Sequence, residues 1–80
     1  MNYIEKRVKE IIAEVFNIKF ENINDNMTFV EDLRAKSADI VELLALLEDE
    51  FKIEIPLAEA LRNKTVGDAW RYIEKKVSTK

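Results

Sequence analysis

EDLRAKSADIVELL, Glu31 to Leu44, carries the chain from an irregular segment into an apolar-periodic one, with Ser37 at the junction. From Ile40 onward, Leu43, Leu47 and Phe51 recur at three- and four-residue spacing with Leu44 beside them, the period of an amphipathic helix. The pattern predicts a helix over Ala38 to Phe51, with Ser37 as its N-cap and Asp39 in the first turn. Asp39, Glu42, Asp49 and Glu50 fall together on another face of that helix. A serine here has two roles open to it. Its hydroxyl can accept a backbone N–H, or it can be an attachment point, because free N–H groups and the helix dipole favour a phosphate at a helix start. Arg34 and Lys36 would be the local cations for such a phosphodiester.

Upstream, Ile4, Val8, Ile11, Ile12 and Val15 mark the apolar face of a first helix over Tyr3 to Phe16, with Asn2 and Glu5 as a capping pair. Between it and Lys36 the pattern is irregular, and Asn22, Asn24, Asp25 and Asn26 favour turns. Phe20, Ile23, Phe29, Val30 and Leu33 read as apolar anchors that pack this long loop onto the helices. Downstream, Pro56 suits the first position of a short helix over Leu57 to Leu61. Thr65 with Asp68 starts a last helix whose inner face is Val66, Ala69, Trp70, Ile73 and Val77. The expected fold is all-α: a small four-helix bundle, three main helices and one short, forming a single domain over residues 1–80.

Composition narrows the chemistry. The chain has no cysteine and no histidine, so disulfides and Ser-His or Cys-His catalysis within it are excluded. At 48% hydrophobic and 36% charged it reads as globular, and one Gly with one Pro favours helices over a turn-rich β chain. No apolar run reaches membrane-spanning length, and the start MNYIEKRVKE is too charged for a signal peptide, so a cytoplasmic location is expected without stable membrane insertion. Net charge is −3, but Asp39 to Glu54 holds six acids against Lys52 alone. That segment suits a basic partner and argues against nucleic acid. Asn22, Asn24 and Asn26 alternate as in a calcium loop, but Met27 stands where glycine is needed and Leu33 where a bidentate glutamate is needed. No metal site is therefore expected. Asn26-Met27-Thr28 and Asn63-Lys64-Thr65 match a glycosylation pattern, which we read as chance.

The order FVEDLRAKSADIVELLALLEDEFKIEIP (29–56), then TVGDAWRYI (65–73), resembles the acyl carrier protein family, and IEKRVKEIIAEVFNI (4–18) looks like that family's first helix. The resemblance implies that Ser37 is esterified with 4'-phosphopantetheine, whose thiol carries acyl groups between enzymes. It implies a chain-binding cleft, for which Leu43, Leu47, Phe51, Ile55, Trp70 and Ile73 are candidates. It also implies a docking surface, with Arg34, Lys36, Ala38, Asp39, Val41, Glu42, Ala45, Glu48 and Asp49 as its candidate residues. The expected partners are a phosphopantetheinyl transferase and acyl-loading and acyl-processing enzymes, the chain itself being a monomer and no enzyme.

Family members usually read Gly-Ala-Asp-Ser-Leu where this chain reads Arg34-Ala35-Lys36-Ser37-Ala38. Ala45 is small where a larger apolar residue is frequent, and the short third helix sets only Glu59 against Arg62. These departures fall on the expected docking surface and leave the apolar framework intact. They point to a specialised carrier with altered partner choice, for a fatty-acid, lipid or polyketide-type pathway. An aminoacyl carrier such as a D-alanyl carrier, and an unmodified helical interaction module in which Ser37 is only a cap, are the alternatives.

Overall fold

The computed structural model describes residues 1–79. Its elements run α1 (Tyr3–Phe16), a short 3-10 turn (Phe20–Asn22), α2 (Ser37–Phe51), α3 (Leu57–Ala60) and α4 (Val66–Ser78). Among the described residues the only pairing of strand type is an isolated antiparallel bridge between Thr28 and Thr65. No helix there is long and apolar enough to cross a membrane. The bundle is thus all-α, with α1 packed against both α2 and α4.

Asn2 caps α1 by accepting the Glu5 N–H at 2.7 Å, and the helix ends where Asn17 turns left-handed at φ 56°. Its inward face supplies Val8 and Ile12, which meet Val66 and Ile73 of α4 as the most completely buried side chains. Burial of each stabilises the fold by roughly 1.5–3 kcal/mol. Leu43, Leu47 and Phe51 of α2 complete this core from the other side.

One charged residue is buried with them. Lys9 is only 6% exposed, and its ammonium lies 2.8 Å from Glu5 and 2.9 Å from Asp25. Burial alone pulls the ammonium's pKa down, but the two carboxylates outweigh it and hold the group above its ordinary value. Asp25 also accepts from the Trp70 indole at 3.0 Å and from Arg71 at 3.3 Å. The bond from Lys9 above all keeps the Asp25 carboxyl below its usual range despite partial burial. Three side chains from two helices, α1 and α4, therefore converge on one loop carboxylate.

The same loop is stitched to the start of α4 along its backbone. Phe29 N–H donates to the Lys64 carbonyl at 3.1 Å, Val66 N–H to Met27 at 2.9 Å, and Gly67 N–H to Asp25 at 3.0 Å. Thr65 and Asp68 close α4 with a capping box, each side chain accepting the other's N–H at 3.1 and 3.3 Å. As a result Ile23, Phe29 and Leu33 are buried and Phe20 is half-buried, whereas Val30, the fifth expected anchor, is 74% exposed. With Phe29 and Leu33 both drawn inward, the residue after Phe29 is turned outward.

Two element starts differ from expectation. Helix α2 begins at Ser37 rather than Ala38, so Lys36 is its N-cap and Ser37 its first helical residue. Pro56 flanks α3 as N-cap instead of opening it, its carbonyl accepting the N–H of Glu59 and Ala60 at 3.0 Å each.

The close approach of loop and helix has a direct test. Alanine is the better helix former by about 0.8–1.0 kcal/mol, so propensity alone would make Gly67→Ala stabilising. A Cβ at Gly67 would instead lie 3.0 Å from Asp25 Cβ and 3.1 Å from the Asp25 carbonyl oxygen. The expected result in urea denaturation is a loss of about 1–3 kcal/mol, and a gain would contradict the tight seam.

Candidate functional site

Ser37 reaches its position because Phe29 and Leu33 anchor the end of the loop, and because Ala35 N–H donates to the Phe29 carbonyl at 2.8 Å. Between these anchors Arg34 is held at φ 57°. A left-handed backbone is easy for glycine and costs a residue with a side chain roughly 1–2 kcal/mol. The family's usual glycine has that physical reason, and here an arginine occupies the same conformation.

At the helix start, the Asp39 carboxylate accepts the Lys36 N–H at 2.9 Å. This places a negative charge in the first turn, where the dipole favours it, and satisfies the N-cap donor. Ser37 performs no capping. It is exposed, and its hydroxyl has no hydrogen-bond partner among the described residues. The reading of Ser37 as N-cap is therefore corrected: the neighbouring Lys36 and Asp39 occupy the capping positions and leave the hydroxyl free.

Two depressions meet beside it. A groove of about 230 Å³ is lined by Ala35, Lys36, Ser37, Ile40, Val41, Leu57 and Leu61. Ala35, Ile40 and Leu61 also line a second cavity of about 280 Å³ between α2, α3 and α4. Leu43, Leu47, Ile55 and Ile73 line this cavity, together with Phe29, Val30, Leu44, Ala60, Ala69 and Tyr72. Phe51 and Trp70 do not. Phe51 is buried elsewhere in the core, and Trp70 is drawn to Asp25, with the Arg71 guanidinium 5.0 Å from its ring centroid. Over the cavity, α3 is tied to α4 by the Tyr72 hydroxyl, which donates to Glu59, while Lys76 lies 3.5 Å from the same carboxylate. Burial first, and then the bond to Glu59, push the Tyr72 phenol up to about 12. Sequence reasoning missed Tyr72, whose spacing on α4 gave no sign of a partner on α3.

The docking candidates divide once their partners are known. Arg34, Lys36, Ala38, Val41, Glu42, Ala45 and Asp49 are exposed, whereas Asp39 and Glu48 are half-buried. Glu48 accepts the Ile55 N–H at 2.7 Å, and Asp49 pairs with Lys52 at 3.4 Å. Glu50 is half-buried, and Arg7 and Tyr3 of α1 hold it. Four of the five acids of α2 thus have partners within the chain, Asp49 in an exposed surface pair.

Nothing around Ser37 converges on it as a base or a nucleophile would, and no group of metal-ligating side chains occurs among the described residues. What the geometry offers is an exposed, unengaged hydroxyl at a helix start, next to a largely apolar cavity. The comparisons with known proteins supply the class. Residues 6–73 match the family described as a phosphopantetheine attachment site. The chain is 46% identical over 76 residues to the acyl carrier protein of Buchnera aphidicola, covering 95% of this chain and 96% of that protein. It is 49% identical over 67 residues to the acyl carrier protein of Wolinella succinogenes, covering 84% and 88%. The solved acyl carrier protein of Enterococcus faecalis superposes with a TM-score of 0.77 at 34% identity, over 91% of this chain and 92% of that one. The chain belongs to the acyl carrier protein family. Members carry 4'-phosphopantetheine, are loaded by a transferase, and serve synthases and processing enzymes without catalysing a reaction themselves.

Because the hydroxyl does no capping, Ser37→Ala is expected to change stability by less than about 0.5 kcal/mol. Asp39→Ala, which removes the acceptor for the Lys36 N–H and the first-turn charge, is expected to cost about 0.5–1.5 kcal/mol. Thermal melts of the two variants check the assignment, and the reverse order would restore Ser37 as the cap.

Proposed function

We propose that Ser37 is the residue that receives the 4'-phosphopantetheine arm, and that the chain, acting as one carrier domain in the cytoplasm, delivers acyl groups for a specialised pathway. The observation that carries this reading is the free, exposed Ser37 hydroxyl at the first turn of a fifteen-residue helix. The first N–H groups of a helix have no intrahelical acceptor, so a phosphodiester there meets unpaired donors and the positive end of the dipole. This is worth roughly 0.3–1 kcal/mol at an exposed site. When attached, the arm supplies a thiol that holds the acyl group as a thioester.

The remaining work falls to the chain's own side chains. The groove beside Ser37 gives the arm a path bordered by Val41, Leu57 and Leu61, and it shares Ala35, Ile40 and Leu61 with the larger cavity. Leu43, Leu47, Ile55 and Ile73 offer an aliphatic chain a dry lining. Each methylene withdrawn from water there contributes about 0.8 kcal/mol, less the cost of ordering the chain. The charged side chains of the lining are Glu31 and Lys64; the aliphatic residues that make up most of the rest favour acyl cargo over aminoacyl.

The test is incubation with coenzyme A and a panel of phosphopantetheinyl transferases, one of them from the native host, followed by intact-mass measurement of wild type and Ser37→Ala. One added phosphopantetheine on wild type and none on the variant is expected. No gain with any transferase would favour the unmodified interaction module.

A further inference from the structure

The side chains around Ser37 divide between those the molecule uses and those it leaves for others. Along α2, Asp39, Glu48, Asp49 and Glu50 each have a partner within the chain. Glu42 is the acid of that helix with none among the described residues. The two cations nearest the serine are in the opposite condition. Arg34 and Lys36 are exposed, and the ion pairs of the described residues include neither. Arg34 holds this position on a left-handed backbone at φ 57° that glycine adopts without strain. Beside them three large apolar side chains stand in solvent: Val41 at 62%, Leu57 at 53% and Leu61 at 53% exposure. These three line the same groove as Lys36 and Ser37.

We infer that the enzyme which modifies Ser37 docks here through carboxylates set opposite Arg34 and Lys36, around an apolar protrusion seated on Val41, Leu57 and Leu61. The inference rests on Ser37 being the attachment residue. Arg34 and Lys36 stand three and one positions before Ser37, all three exposed, so a protein docked over the Ser37 hydroxyl meets both cations near its contact. An acidic contact surface there finds two unpaired cations, whereas a basic one meets both of them, with the exposed Glu31 and Glu42 in compensation. Such rim charges act mainly on encounter and on the rejection of wrong partners, and salt weakens them. The apolar trio supplies the non-directional part of the contact, which salt does not screen.

The test uses the phosphopantetheinyl transferase of the native host with coenzyme A. Wild type, Lys36→Glu, Arg34→Gly and the double variant are compared by kcat/KM for the carrier, at low salt and at roughly 0.5 M salt. The double variant is expected to fall by about tenfold or more at low salt, with the gap narrowing as salt rises. Arg34→Gly relieves a left-handed backbone, so its melting temperature should hold or rise while its modification slows. A stable Arg34→Gly variant modified more slowly cannot be explained by misfolding. The proposal is overturned if the double variant is modified as fast as wild type or faster. It is also overturned if the loss lies in the KM for coenzyme A, which would assign the cations to that molecule's phosphates. Failure of the transferase to modify wild type removes the attachment reading, and this one with it.

Discussion

The seam between the long loop and the first turn of α4 is the constraint on which the rest of the structure depends. Twenty residues separate α1 from α2, too many to be held by hydrophobic anchors alone without loss of register. Asp25 fixes the middle of the loop by accepting from Lys9, Trp70 and Arg71, and its backbone carbonyl accepts the Gly67 N–H at 3.0 Å. That approach is possible only because Gly67 has no Cβ to meet Asp25. Once Met27, Thr28 and Phe29 are aligned on Lys64 to Val66, Phe29 and Leu33 must turn inward. Ala35 and Ser37 then arrive at the mouth of the cavity. Their arrival depends on contacts six to twelve residues upstream.

Much of this was legible in the sequence, and the reasons are local. Helix α1 was bounded correctly because Asn2, the apolar period and the end at Phe16 are all short-range signals. The Thr65–Asp68 capping box announced α4 in the same way. What escaped was decided by contacts across the fold. Ser37 has a strong intrinsic preference for the N-cap, but Asp39 caps the Lys36 N–H and the helix starts one residue early. Trp70 was assigned to the cleft from its position on the inner face, but an indole N–H needs an acceptor, and Asp25 pulled the ring away from the cavity. Glu48, a docking candidate, reaches forward seven residues to accept the Ile55 N–H, and Glu50, expected on one face with Asp39, Glu42 and Asp49, crosses to Arg7. No periodicity carries information of that kind.

The same redistribution of acids alters how the surface near Ser37 reads. A segment with six acids against one lysine suggests a uniformly acidic docking helix. With Asp39, Glu48 and Glu50 held by partners within the chain and Asp49 paired with Lys52 at the surface, the unpaired charges nearest the serine are Arg34 and Lys36, with Glu42 a turn further on and Glu31 in the loop before. Formal charge along the chain and charge available to a partner are therefore different quantities. Neither Arg34 nor Lys36 lines the larger cavity, whose apolar walls come from α2 and α4 together with Phe29, Ala35, Ile55, Ala60 and Leu61. A carrier built this way can retain its cargo chamber while its rim is rewritten for another set of enzymes.

The central claim is that the exposed, uncapped Ser37 hydroxyl carries the arm. The most direct measurement is intact-mass and peptide mapping of the protein purified from its own host. One phosphopantetheine located on the peptide that contains Ser37 is the expected result. A fully unmodified protein, or a modification mapped to another residue, would contradict it.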